Sequence, residues 1–222
     1  MAGSRALAAA ALLAATLPAR ADGPFIDAAT RVPGLAVEMR YAGSDNFVGR
    51  PIAGYEAPRC LLTPQAAAAL SKAATALARE GLGLKVFDCY RPLRAVADFA
   101  AWARDPADTK MRKAYYPDVD KRDLFRLGYI AERSAHSRGS TVDLTLVRRV
   151  DGGELDMGTP FDRFSPDSAP ASTAVAPEAR ANRRRLRAAM EGAGFSPYAA
   201  EWWHFTLRRE PFPNRAFDLP VR

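Results

Sequence analysis

Histidine is nearly absent from this chain: two residues in 222, His136 and His204. Any imidazole chemistry is therefore confined to those two positions. Cysteine is as scarce, with Cys60 and Cys89 alone. No CxxC pair occurs and neither cysteine lies near a histidine in sequence, so a cysteine-ligated zinc motif is excluded. The apolar run over residues 6–17 is too short to cross a bilayer. The formal net charge is +7, yet no basic stretch interleaves with aromatics, so a nucleic-acid partner is not implied. Internal repeats and long linkers are also missing.

What remains suffices for one well-buried domain, since 48% of the residues are apolar. Arg5, the apolar run 6–17 and the small-x-small triplet Ala19-Arg20-Ala21 together read as a secretory signal cut after Ala21. That predicts a periplasmic or secreted protein, with residues 22–222 as the folded domain and no stable membrane insertion after cleavage. Export makes a Cys60–Cys89 bridge chemically open to the chain, and two buried thiols are equally open.

Periodicity places the elements coarsely. Strands are predicted at Val37–Tyr41, Leu84–Tyr90, Ser140–Val147 and Trp202–Arg208. Thr63-Pro64 caps a helix running to about Glu80, and Pro92 opens another to about Arg104. Further helix is predicted around Lys110–Lys113 and from Pro177 to Glu191, ending before Gly192. Phe164–Ala176 reads as a surface loop, and Arg183, Arg184, Arg185 and Arg187 as a solvated helix face. No regular βαβ rhythm appears. The prediction is α+β: a single domain with a central, mainly antiparallel sheet flanked by helices.

Both histidines sit near acids. Asp143 falls mid-strand, with Val142 and Leu144 facing the other way, so its carboxylate points into a site or into solvent. His136 precedes it across Gly139, where the chain can turn sharply. In Glu201-Trp-Trp-His204 the acid and the imidazole would point to opposite faces of an ideal strand. They converge only if Glu201 lies in a turn before the strand. Read singly, each is an ordinary polar residue. Read together, His136, Asp143 and His204 make a three-ligand site for one Zn2+ with an open position. Glu201 is the candidate general base and acid, and Arg91, fixed before Pro92, the candidate oxyanion partner.

These residues carry a resemblance. Ser134-x-His136-x-x-Gly139-x-x-x-Asp143 with Glu201-Trp-Trp-His204 resembles the zinc D-alanyl-D-alanine dipeptidases, the VanX-type branch of the M15 metallopeptidases. Tyr41-Ala-x-x-Asp-Asn46-Phe47-x-Gly49, Asp88-x-Tyr90-Arg91-Pro92 and Asp156-Met-Gly-Thr159-x-Phe-Asp162 are similar to further motifs of that family. The resemblance implies the hedgehog/DD-peptidase type of α+β fold and a small D,D-dipeptide substrate. It implies the ligand set and the roles of Glu201 and Arg91 given above. It further implies that Asp162, Tyr41 and Ser134 lie at the substrate, with Asp162 near its free ammonium. The chain departs from the pattern at Thr141, where the family usually has a small residue, and after Asp162, where Arg163-Phe-Ser replaces a common Ser-His. Both changes bear on pocket shape. A stem-peptide carboxypeptidase and a non-catalytic zinc-stabilised envelope-binding module stand as alternatives.

Overall fold

Two adjacent strands form the frame. In a computed structural model that describes residues 23–222, strand β4 (Leu82–Asp88) pairs antiparallel with β5 (Thr141–Arg148). Seven consecutive residues of β5, from Thr141 to Val147, are buried. Both faces of the sheet are therefore covered, and the alternation predicted for this segment separates two interiors rather than core from solvent. The sheet has five strands in the order β2-β4-β5-β7-β6, with β2 at Ala36–Val37, β6 at Phe195–Pro197 and β7 at His204–Leu207. Among the described residues, only β2 and β4 of this sheet run parallel; its other pairs are antiparallel. A second, two-stranded ladder joins β1 (Ile26–Asp27) to β3 (Leu61–Leu62). The fold is α+β and mainly antiparallel, as the sequence predicts.

Among the described residues, four helices flank the sheets: α1 (Pro64–Ala78), α2 (Leu93–Arg104), the single turn α3 (Arg112–Tyr115) and α4 (Pro177–Ala193). The Thr63 hydroxyl accepts from the Ala66 amide at 3.3 Å, and Pro64 occupies the first turn of α1. Helices α1 and α4 pack on each other and on the sheet. Helix α4 passes through Gly192 and stops at Gly194, which takes the left-handed conformation with φ +109°. The glycine that ends the helix is the one that adopts positive φ, not the first one met.

Other boundaries move for identifiable reasons. The strand predicted at Val37–Tyr41 keeps only its first residue in the ladder, and Arg40–Ala42 forms a 3-10 turn. The Asn46 amide draws the chain off the sheet by donating to the carbonyls of Arg40, Gly43 and Arg50. The last strand begins at His204 rather than Trp202, because the Trp202 amide donates to the Ser168 carbonyl at 2.9 Å, outside the ladder. Phe164–Ala176 is not wholly a surface loop: Phe164 is buried and stacks on Tyr116 and Tyr129. Cys60 and Cys89 form a disulfide, settling the choice between bridge and thiols. The segment read as a signal, residues 1–21, lies outside the described residues.

Candidate active site

Cross-strand register builds the site. Asp88 lies opposite Asp143, and Asp143 opposite His204, in one row across β4, β5 and β7. Directly opposed residues project to the same face of a sheet. A register shift between Val86 and Asp88 produces this row. In unbroken pairing Phe87 would oppose Asp143 and Asp88 would turn to the other face; the bulge re-aims it. His136 comes from a 3-10 turn, Ala135–Arg138, that abuts β5. Ser134 caps that turn by accepting from the His136 amide at 3.2 Å. Gly139 ends it with φ +74°, and a Cβ there would meet the Phe25 ring at 2.1 Å. A side chain there is disfavoured by the conformation and blocked by the contact.

Three donor atoms converge. His136 Nε2 lies 3.3 Å from Asp143 Oδ1, His204 Nδ1 lies 3.1 Å from the same oxygen, and the two nitrogens are 3.3 Å apart. His136 Nδ1 lies 2.7 Å from the Cys89 carbonyl oxygen, so this nitrogen carries the proton and Nε2 presents its lone pair. Among the described residues, the buried Asp143 Oδ1 has no hydrogen-bond partner of standard geometry. A buried carboxylate oxygen between two imidazole nitrogens is an arrangement that could hold a metal ion. A tetrahedral zinc with ligands at about 2.0–2.1 Å spaces them about 3.3–3.4 Å apart, so the donor set fits such an ion. Burial alone would raise the Asp143 pKa, but the two histidines overcome it and hold the carboxyl well below its usual range.

The remaining residues singled out by sequence line the same cavity of about 390 Å³: Tyr41, Arg91, Ser134, Asp162 and Glu201 join the three donors there. Glu201 sits just before a turn over Trp202–Trp203, its Oε2 3.5 Å from His204 Nδ1, so the condition for convergence is met. Burial pushes the Glu201 carboxyl up to about 7; His204 and Arg91 oppose that rise, while the Asp143 charge adds to it. Arg91 is held by Asp88 through Nε at 2.9 Å and Nη2 at 2.8 Å, and Nη2 is 3.8 Å from Asp143 Oδ2. Its guanidinium lies over the Tyr41 and Phe99 rings. The Tyr41 hydroxyl donates to Asp162 Oδ2 at 2.8 Å. Asp162 is the one non-glycine residue with positive φ among the described residues. Burial, reinforced by Asp143, raises its pKa well above the carboxylate range against the pull of Tyr41 and Arg91. Trp203 lines the cavity as an apolar wall, whereas Trp202, also buried, turns away from it to the 159–168 loop. The Thr141 hydroxyl is taken up by Thr206, 2.9 Å away.

Sequence reasoning offers the Asp88–Arg91 pair only as a surface contact and leaves the rest of the support behind these groups unassigned. Asp88 sits beneath the site, accepting from Tyr55 at 2.6 Å and from Arg91, and its Oδ2 is 3.5 Å from His136 Nδ1. Its motif neighbour Arg91 was the available signal. Arg183 is no part of a solvated face: it is 3% exposed and donates to the carbonyls of Met157, Asp167 and Ala169. Arg183 Nη2 and the Trp202 indole both donate to the Thr159 hydroxyl. The loop bearing Asp162 and the turn following Glu201 are thus tied to one helix. Nothing in the run of arginines distinguishes the inward one.

The family of M15 peptidases described as D-Ala-D-Ala dipeptidase matches residues 22–222. A D-alanyl-D-alanine dipeptidase of Enterococcus faecium is 45% identical over 192 residues, covering 86% of this chain and 95% of that protein. One of Streptomyces coelicolor is 42% identical over 200 residues, covering 90% of this chain and 98% of its own length. One of Escherichia coli is 38% identical over 183 residues, with 82% and 84% covered. The chain is an enzyme and belongs to the M15 peptidase family of D-Ala-D-Ala dipeptidases.

Proposed function

We propose that this enzyme hydrolyses D-alanyl-D-alanine and related D,D-dipeptides, with one zinc ion held by His136, Asp143 and His204. The observation that carries the reading is the bare Asp143 oxygen between two imidazole nitrogens, with Glu201 beside them and Asp162 in the same small cavity. Bound zinc would supply the positive charge that makes a water nucleophilic and polarises a peptide carbonyl. Glu201 takes the proton of the attacking water and passes it to the leaving amine; its raised pKa suits both halves of that exchange. Arg91, oriented by Asp88, donates to the oxygen on which charge develops. Asp162 receives the substrate ammonium, steadied by the Tyr41 hydroxyl, and Ser134 lies at the substrate beside His136.

Export to the periplasm or beyond would suit turnover of cell-wall dipeptide, or its use as nutrient. The cavity volume lies near the small end of ligand pockets, roughly 300–1,000 Å³, which favours a dipeptide over a long stem peptide. Assays on D-Ala-D-Ala and on a stem pentapeptide, with the metal content measured in parallel, test the reading. Hydrolysis of the dipeptide by protein carrying one zinc per chain supports it; cleavage of the pentapeptide alone overturns it.

A further inference from the structure

A D,D-dipeptide carries charge at both ends, and the site as described answers only one of them. Asp162 faces the ammonium. Among the described residues, the cavity has two cationic side chains besides the imidazoles, Arg91 and Arg133. Arg91 is committed to Asp88 and stands next to the Asp143 carboxylate, where the reaction occurs. Arg133 is exposed and, among the described residues, makes no ion pair or side-chain hydrogen bond. Its acidic neighbour Glu132 is drawn away to Arg104 on the surface. An arginine that lines a cavity of acids yet pairs with none of them is available to a ligand.

We propose that Arg133 binds the C-terminal carboxylate of the substrate and so sets the demand for a free carboxyl end. The inference rests on the D,D-dipeptide reading and deepens it. A guanidinium offers two parallel N–H donors that match a carboxylate, a fit a substrate amide cannot reproduce. Arg133 adjoins Ser134, which caps the turn carrying His136, so its backbone is anchored to the wall of the site. Asp162 and Arg133 together would bracket a short zwitterion, one charge to each end. A longer peptide places an uncharged amide where Arg133 expects charge.

The experiment compares D-Ala-D-Ala with its C-terminal amide on the zinc-loaded enzyme, on Arg133→Ala and on Arg133→Lys. Binding of both compounds is measured in parallel by calorimetry on Glu201→Gln protein with and without Arg133→Ala. An exposed side chain without partners can be removed without unfolding, and unchanged circular dichroism and zinc content verify this. A charge-assisted contact at an exposed site predicts that Arg133→Ala raises KM for the acid roughly tenfold, with kcat changed by less than about twofold. The preference for acid over amide falls by the same factor, and Arg133→Lys recovers part of it. Arg133→Ala enzyme that keeps the wild-type KM and the wild-type preference overturns this inference and leaves the dipeptidase reading standing. Wild-type protein that neither cuts nor binds either compound overturns both.

Discussion

Glu201 owes its raised pKa to where its carboxyl is buried. A carboxyl raised to about 7 holds its proton in the lower part of the physiological range, and a general base must lose it. The kcat/KM profile should therefore fall as pH drops through the Glu201 pKa. A bound cation favours the carboxylate, so this acid limb should lie at or below about 7 in the metal-loaded enzyme. A limb above pH 8 would contradict the assignment. Glu201→Gln should lower kcat by roughly 10²–10⁴-fold while leaving the zinc content unchanged, as metal analysis beside a dipeptide assay would establish. Asp162 makes a separate case. Asparagine tolerates the same left-handed backbone, so Asp162→Asn keeps the loop and removes the ability to carry a negative charge opposite a bound ammonium. KM for the dipeptide should rise more than tenfold, with zinc binding intact; an unchanged KM would deny Asp162 its ammonium.

At the scale of elements, the site depends on a bulge, a turn and a clamp. Alternation along β5 was enough to aim Asp143 away from the apolar row, and Thr63-Pro64 and Pro92 were enough to locate helix starts. The bulge at Phe87 was not legible, because a register shift depends on the partner strand rather than on local residues. Nor was the start of β7, set by a bond from Trp202 to a carbonyl 34 positions earlier in the chain, at Ser168. Arg183 shows the same limit: helical periodicity marks a face, but which arginine of a run turns inward is decided by the loop carbonyls waiting for it. Arg183→Ala would leave those carbonyls unpaired and should lower stability by about 2–4 kcal/mol, read by thermal or denaturant unfolding. Arg183→Lys should fold, yet lose catalytic efficiency because the loop carrying Asp162 is held at fewer points. Wild-type kinetics and stability in both variants would refute the clamp.

On the scale of the whole molecule, donor side chains from distant parts of the chain meet because the sheet order puts β5 between β4 and β7. The Cys60–Cys89 bridge closes a loop across 29 residues and ends at the carbonyl that orients His136. Replacing both cysteines by serine should cost about 3–4 kcal/mol on the loop-entropy estimate and weaken zinc retention, measured by unfolding and by competition with a chelator. Stability and zinc affinity unchanged in that variant would argue against such support. The pairing of the motifs was legible because two histidines left few choices; the distances between them were not. The most direct measurement is anomalous diffraction at the zinc edge from crystals of the metal-loaded enzyme. One peak should lie within about 2.0–2.2 Å of His136 Nε2, His204 Nδ1 and an Asp143 carboxylate oxygen, with Glu201 beside it and not ligating. No peak among those three side chains, or zinc bound elsewhere with the site intact and activity retained, would contradict the central claim.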